Sequence, residues 1–88
     1  MTELVVLHDE PARRFSAVVD GHACELDYTL RGSIMAITHT RVPAAVGGRG
    51  IAAELMRAAL RTARERGWTV HAECSYAIAY LRRHPTPP

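Results

Sequence analysis

The chain contains no lysine: all eleven of its basic residues are arginine. That removes Schiff-base chemistry, a phosphate-loop lysine and a lysine general base from consideration. Cysteine is scarce too, with Cys24 and Cys74 far apart in the chain. Two such residues do not make the disulfide framework of a small secreted domain. There is no C-x-x-C pair, so a structural zinc site is not expected. His8, His22 and His71 stand at no ligand spacing with acidic or thiol partners, so no metal of any kind is expected. No apolar run approaches the roughly eighteen residues of a membrane-spanning helix. Glu3 stands where a secretory leader would carry positive charge. These absences lead to the expectation of a reduced, cytoplasmic protein with no membrane partner.

Excess charge of either sign is also missing. Nine acidic residues offset the eleven arginines, for a formal net charge of +2. That balance argues against a protein that coats nucleic acid. The 88 residues are 48% hydrophobic, an ordinary globular composition, and show neither an internal repeat nor a linker. They are expected to form one domain, 1–88, with a small core and no room for separate cofactor and substrate domains.

What is present changes character halfway along. Glu3 to His8 is a short apolar run that reads as a buried strand, stopped by Asp9-Glu10-Pro11. Arg14 to Val19 alternates, with Phe15, Ala17 and Val19 on one side. Asp20-Gly21 follows as a two-residue hairpin turn. Cys24, Leu26 and Tyr28 then share a face, with Glu25 and Asp27 opposite, so Cys24 reads as core. Arg31-Gly32-Ser33 is a second turn, and Ile34 to Val42 is a strand ended by Pro43. About four antiparallel strands are predicted. Ile51 to Arg66 reads as a helix, with Ile51, Leu55, Ala59 and Ala63 on its apolar stripe and Gly67 as its left-handed cap. Trp68 to Ala72 is predicted as a strand, and Tyr76 to Arg83 as a short helix with Ser75 as N-cap. The fold class is α+β.

Between the two halves lies Gly47-Gly48-Arg49-Gly50, directly before the long helix. Glycines allow a ligand close to the backbone. A helix N-terminus offers unpaired N–H groups and partial positive charge, which suits phosphate or pyrophosphate. Arg49 adds a full charge beside it. The loop is neither a P-loop nor a dinucleotide fingerprint, because GxxxxGK[ST] and GxGxxG are both absent. The plainer alternative is a tight turn into a helix.

The loop resembles the acetyl-CoA loop of the GNAT N-acetyltransferase superfamily, whose pattern is Gln/Arg-x-x-Gly-x-Gly/Ala. Gly50 and Ala52 match its last two positions, while Gly47 stands where Gln or Arg is expected. Together with His39-Thr40-Arg41-Val42-Pro43, Cys74-Ser75-Tyr76, Tyr80 and Arg83-His84-Pro85, it is similar to the short stand-alone GNAT-like proteins. The resemblance runs from about Phe15 to Pro85. It implies a truncated GNAT fold in which strand Ile34–Val42 lines the pantetheine arm and strand Trp68–Ala72 splays from its neighbour. It implies acetyl-CoA as cosubstrate, with Val42, Gly47, Gly48, Arg49, Gly50, Ile51 and Ala52 as its binding residues.

His39 and Cys74 are the candidate catalytic residues. His39 shares a face with Met35 and Ile37, where an imidazole is structural in a core and a general base beside a cleft. Cys74 packs as a small hydrophobe or, at a helix N-terminus, favours thiolate and takes the acetyl group. Larger GNAT enzymes use a tyrosine of this last helix to protonate the departing thiolate; Tyr76 and Tyr80 are the candidates, apolar packing being their alternative role. His84, with Arg82 and Arg83, is either solvated surface or a contact for CoA phosphates. Two functions remain open: an acetyl-CoA-dependent N-acetyltransferase acting on an unidentified amine, and a non-catalytic acetyl-CoA- or CoA-binding module. Nucleic acid is not an expected partner, and an exposed sheet edge is compatible with a monomer or a weak dimer.

Overall fold

The computed structural model describes residues 4–85. Glu3, at the start of the first expected strand, and Pro87 and Pro88 of the tail lie outside the described residues. One five-stranded sheet, ordered β1-β2-β3-β4-β5, carries two helices. Its strands are β1 (Leu7–Asp9), β2 (Arg14–Val19), β3 (His22–Arg31), β4 (Ile34–Arg41) and β5 (Thr69–Ala72). The helices are α1 (Ile51–Arg66) and α2 (Ser75–Arg83), and a single 3-10 turn at Ala44–Val46 precedes α1. The first four strands pair antiparallel, as the hairpin signals require, and β5 pairs parallel to β4 after the α1 crossover.

The β2–β3 turn forms where Asp20-Gly21 places it. Both residues have positive φ, +50° and +78°, which matches the right-handed twist of the strands they join. Helix α1 ends on Gly67 at φ +70°, whose N–H is shared between the carbonyls of Ala63 and Arg64. Ile51, Leu55, Ala59 and Ala63 are all buried, so the apolar stripe faces the sheet as its spacing requires. Opposite them stand Phe15, Ala17, Cys24, Leu26, Tyr28, Met35 and Ile37. Ala77 and Tyr80 of α2 complete this single-sided core. Cys24 is fully buried, and burial raises its thiol pKa, consistent with a packing role.

Three expectations are corrected here. The first strand is short and marginal rather than buried: Val5 and Leu7 are 67% and 63% exposed. It is an edge strand with one face free; Leu4, Val6 and His8 turn inward, His8 stacking on Phe15 at 4.1 Å and reaching the Tyr28 hydroxyl at 2.7 Å. The N-cap of α2 is Cys74 rather than Ser75, because the Cys74 Sγ accepts the Ala77 N–H at 3.4 Å. Finally, β4 does not keep one alternation along its length. Tyr28 pairs with Ile37 but Asp27 pairs with His39, so Thr38 is an extra residue in a β-bulge.

The face away from the helices carries a charged ladder rather than a second layer. Arg14 donates to Asp27 at 2.7 Å and also pairs with Glu25, which takes Arg41 at 2.6 Å. Such half-exposed pairs at the sheet surface contribute little individually, about 0–1 kcal/mol, so the α1 face holds the fold together. Leu55→Ala removes a fully buried side chain from the centre of that face. It is expected to cost about 2–5 kcal/mol and to lower Tm by about 10 °C or more, as read by thermal circular dichroism. Burial holds the His8 imidazole below its ordinary pKa of 6.5. The unfolded chain therefore takes up the His8 proton at higher pH than the folded one does. Stability is expected to fall as pH drops through 6.5, and His8→Phe is expected to flatten that slope in urea titrations across this window.

Candidate functional site

The bulge at Thr38 decides the geometry of the site. Up to Ile37, β4 is paired with β5, ending at Ile37 opposite Ala72. The Ile37 carbonyl then accepts two N–H groups, from Glu73 at 2.9 Å and Cys74 at 3.1 Å. Beyond that point β5 gives way to α2 while β4 continues to Arg41, and the two no longer pair. β5 is paired with β4 along its whole length, and where it ends β4 runs on: among the described residues no strand lies on its β5 side from Thr38 onward.

The extra residue also exchanges the two faces of β4. Thr40 lies opposite Leu26, a fully buried residue of the α1 face, whereas His39 lies opposite Asp27 on the charged face. His39 therefore does not share a face with Met35 and Ile37; the bulge turns it outward, and it is exposed. Its place on the inner side is taken by Thr40, whose Oγ1 sits 3.4 Å from the Cys74 Sγ. Cys74 is half-buried, so its sulfur has a backbone N–H on one side and a hydroxyl on the other. Thr40 was not singled out from sequence. A period-two reading assigns it to the outer face, and only the paired register reveals the bulge.

Around the start of α1 lies a cleft of about 260 Å³, open to solvent and lined by Val42, Val46, Gly47, Gly48, Gly50, Ile51, Ala52, Ala53 and Tyr76. Six of the seven residues singled out for the cofactor are among them, and the seventh, Arg49, lies in the same loop. Gly48 and Gly50 have φ of +76° and +75°, a left-handed region that side chains with a Cβ resist. A Cβ at either would meet no protein atom within 4 Å, so these two glycines answer to backbone conformation and to open space, not to packing. Gly47 is extended, at φ −68°, and has no such conformational need.

The left-handed Gly50 is the N-cap of α1 and brings no side-chain acceptor. The first backbone bond of the helix runs from the Glu54 N–H to the Gly50 carbonyl, at 3.1 Å. The N–H groups of Ile51, Ala52 and Ala53 precede it and have no intrahelical partner. A left-handed residue followed by helical ones turns successive N–H groups toward one point, an arrangement that binds anions. Arg49 does not add its charge at that point. Its guanidinium reaches across to Asp20 in the β2–β3 turn at 2.6 Å, an exposed pair of the weak kind.

The two tyrosines of α2 part company. Tyr76 lines the cleft, and burial pushes its phenol pKa up, so it stays protonated at neutral pH. Tyr80 is 6% exposed and packs in the core, its ring 4.5 Å from that of His84. No group of His, Cys, Asp and Glu fit to hold a metal occurs among the described residues. No helix among them is long and apolar enough to cross a membrane.

A sequence profile described as GCN5-related N-acetyl-transferase matches residues 14–87. The chain is 38% identical over 85 residues to Protein NATD1 of Mus musculus, covering 93% of this chain and 77% of that one. It is 36% identical to Protein NATD1 of Homo sapiens, covering 93% and 75%. The NMR solution structure of a GCN5-like protein from Staphylococcus aureus superposes with a TM-score of 0.72 at 28% identity, over 94% of this chain and 82% of that chain. A match across most of the chain, in profile, in sequence and in fold, makes this protein a member of the GCN5-related N-acetyl-transferase family.

Proposed function

We propose that the protein is an acetyl-CoA-dependent N-acetyltransferase acting on an amine. The observation that carries this reading is the uncapped start of α1 opening onto a cleft that Tyr76 of α2 also lines. The residues present fit the cosubstrate chemically. Ile51, Ala52 and Ala53 offer N–H groups to a pyrophosphate, and Val42 and Val46 offer an apolar wall to a pantetheine arm. The unpaired backbone of β4 beyond Thr38 offers amide groups to the amides of that arm. Acetyl-CoA supplies, when bound, an acetyl group activated as a thioester.

The residues of the chain would then divide the work across the sheet. His39 stands on the outer side, where an amine can approach from solvent. An amine is protonated at neutral pH and attacks only after losing that proton, a task an imidazole can perform. On the inner side the Tyr76 hydroxyl is held protonated and lines the cleft, so it is the residue that would return a proton to the departing thiolate. Tyr80, buried under His84, is not placed for that role. Cys74 offers a second route. Its thiol would give up its proton and take the acetyl group, releasing the CoA thiol. The amine would then take the acetyl from sulfur and restore the thiol. The Ala77 N–H donates to that sulfur, and the Thr40 hydroxyl lies within hydrogen-bond reach of it.

The orientation of His39 away from Cys74 favours a second reading, a module that binds acetyl-CoA or CoA without turnover. Mass spectrometry after incubation with acetyl-CoA separates the two. A gain of about 42 Da on Cys74, lost in Cys74→Ala, is expected for the acetyl-cysteine route. Acetylation of a supplied amine with no adduct, abolished by His39→Ala, indicates direct attack. Binding of acetyl-CoA with neither outcome leaves the passive module, and no binding at millimolar concentration by isothermal titration removes both readings. In an active enzyme, Tyr76→Phe is expected to lower kcat by about a hundredfold with little change in the KM for acetyl-CoA, measured in steady-state kinetics.

A further inference from the structure

Cys74 is fixed more completely than a packed thiol needs. Its N–H goes to the Ile37 carbonyl at 3.1 Å, and its own carbonyl accepts the Ile78 N–H at 3.0 Å. The backbone is thus held by β4 on one side and by α2 on the other. One torsion is left to place the sulfur, and two contacts act on it: the Ala77 N–H and the Thr40 hydroxyl, each at 3.4 Å. Among the described residues Thr40 is the only side chain with a polar atom within hydrogen-bond reach of that sulfur. No imidazole or carboxylate shares the position. His39 faces outward opposite Asp27, and the exposed His71 and Glu73 approach each other at 3.8 Å. Thr40 reaches inward only because of the bulge at Thr38. Neither Thr40 nor Cys74 lines the cleft, but each stands two residues before one that does, Val42 and Tyr76.

We infer that Thr40 is the positioning residue for Cys74 in the acetyl-cysteine route proposed above, on which this role rests: its hydroxyl orients the thiol for attack and partners the sulfur before and after the proton leaves. A neutral thiol has one hydrogen and two lone pairs. The Ala77 N–H occupies one of those lone pairs. A hydroxyl donating to the other would leave none for an acetyl carbon. With the S–H directed to Thr40 Oγ1 instead, the second lone pair is free. A hydroxyl is acceptor and donor at once and rotates to suit. When the thiol proton leaves, the Thr40 hydroxyl turns and donates to the sulfur, which then has a third lone pair for the attack. A methyl group in its place does neither. In the transfer, Cys74 Sγ bonds to the acetyl carbon as the bond from that carbon to the CoA sulfur breaks. The proton lost by Cys74 ends on the CoA sulfur, so atoms and charge balance. Thr40 neither gains nor loses a proton overall; it acts through Cys74.

Two measurements on the full chain test this, one of them without cosubstrate. Alkylation by iodoacetamide, followed by peptide mass spectrometry so that the buried Cys24 is read separately, reports the Cys74 thiol alone. Acetylation of Cys74 in a single turnover with acetyl-CoA reports the transfer. Thr40→Val keeps the shape and removes the hydroxyl. It is expected to slow both reactions by about tenfold, the worth of about one hydrogen bond. Thr40→Ser is expected to restore most of both rates. The acetyl-CoA concentration giving half the maximal rate is expected to stay the same, because Thr40 does not line the cleft. Thermal circular dichroism is expected to show the same transition in all three proteins, since the cap of α2 through Ala77 is untouched. Should Thr40→Val fail to fold, Thr40→Ala is read in its place. An alkylation rate in the hydroxyl-free variant equal to that of the unaltered protein overturns the role of Thr40, with the acetyl-cysteine route intact. So does a Thr40→Ser protein as slow as Thr40→Val. No acetyl adduct on Cys74 of the unaltered protein overturns the route and the role of Thr40 together, and leaves direct attack by the amine standing.

Discussion

The Ile37 carbonyl accepts the N–H groups of both Glu73 and Cys74, and the rest of the site depends on that doubled hydrogen bond. It closes the ladder between β4 and β5 and turns the chain out of the strand into the N-cap of α2. One residue later β4 absorbs its extra residue at Thr38. A ladder that ends while one strand continues leaves unpaired backbone on the continuing strand. Buried backbone groups rarely go without partners, so such an edge is a place for a ligand or for water. The same two features place Thr40 on the inner face, opposite Leu26, and bring its hydroxyl to Cys74.

The other half of the cleft is electrostatic. A helix of sixteen residues begins at Gly50 without a side-chain cap, which leaves its partial positive charge and its first N–H groups free. Gly48 and Gly50 hold the left-handed conformations that aim those groups at one point. Those donors belong to the backbone, so the lack of a Gln or Arg side chain at Gly47 does not alter them. Arg49 instead ties the loop to the β2–β3 turn through Asp20, an exposed pair that organises the loop more than it stabilises the fold.

Much of the fold was legible because its signals are local. Asp20-Gly21 specifies a hairpin, and Gly67 a helix end, through φ angles that belong to those residues alone. The stripe from Ile51 to Ala63 specifies which side of α1 is buried by spacing alone. The first strand was less legible. An apolar run does not say how many of its faces are covered, and Val5 and Leu7 lie on the face without helices. The N-cap of α2 was misplaced by one residue because a serine is the commoner cap, whereas here a cysteine sulfur accepts the bond.

From the sequence alone came the fold class, the glycine loop before a long helix and the absence of lysine chemistry. Each follows from residue type or short-range spacing. Only the tertiary structure decided which way His39 and Thr40 point. A bulge is a mismatch between two strands, and it cannot be read from either strand alone. Tertiary structure likewise separated Tyr76, which lines the cleft, from Tyr80, which packs in the core, although the two share one helical stripe. What distinguishes them is how far along α2 the packing of α1 extends, a relation between two elements far apart in the chain.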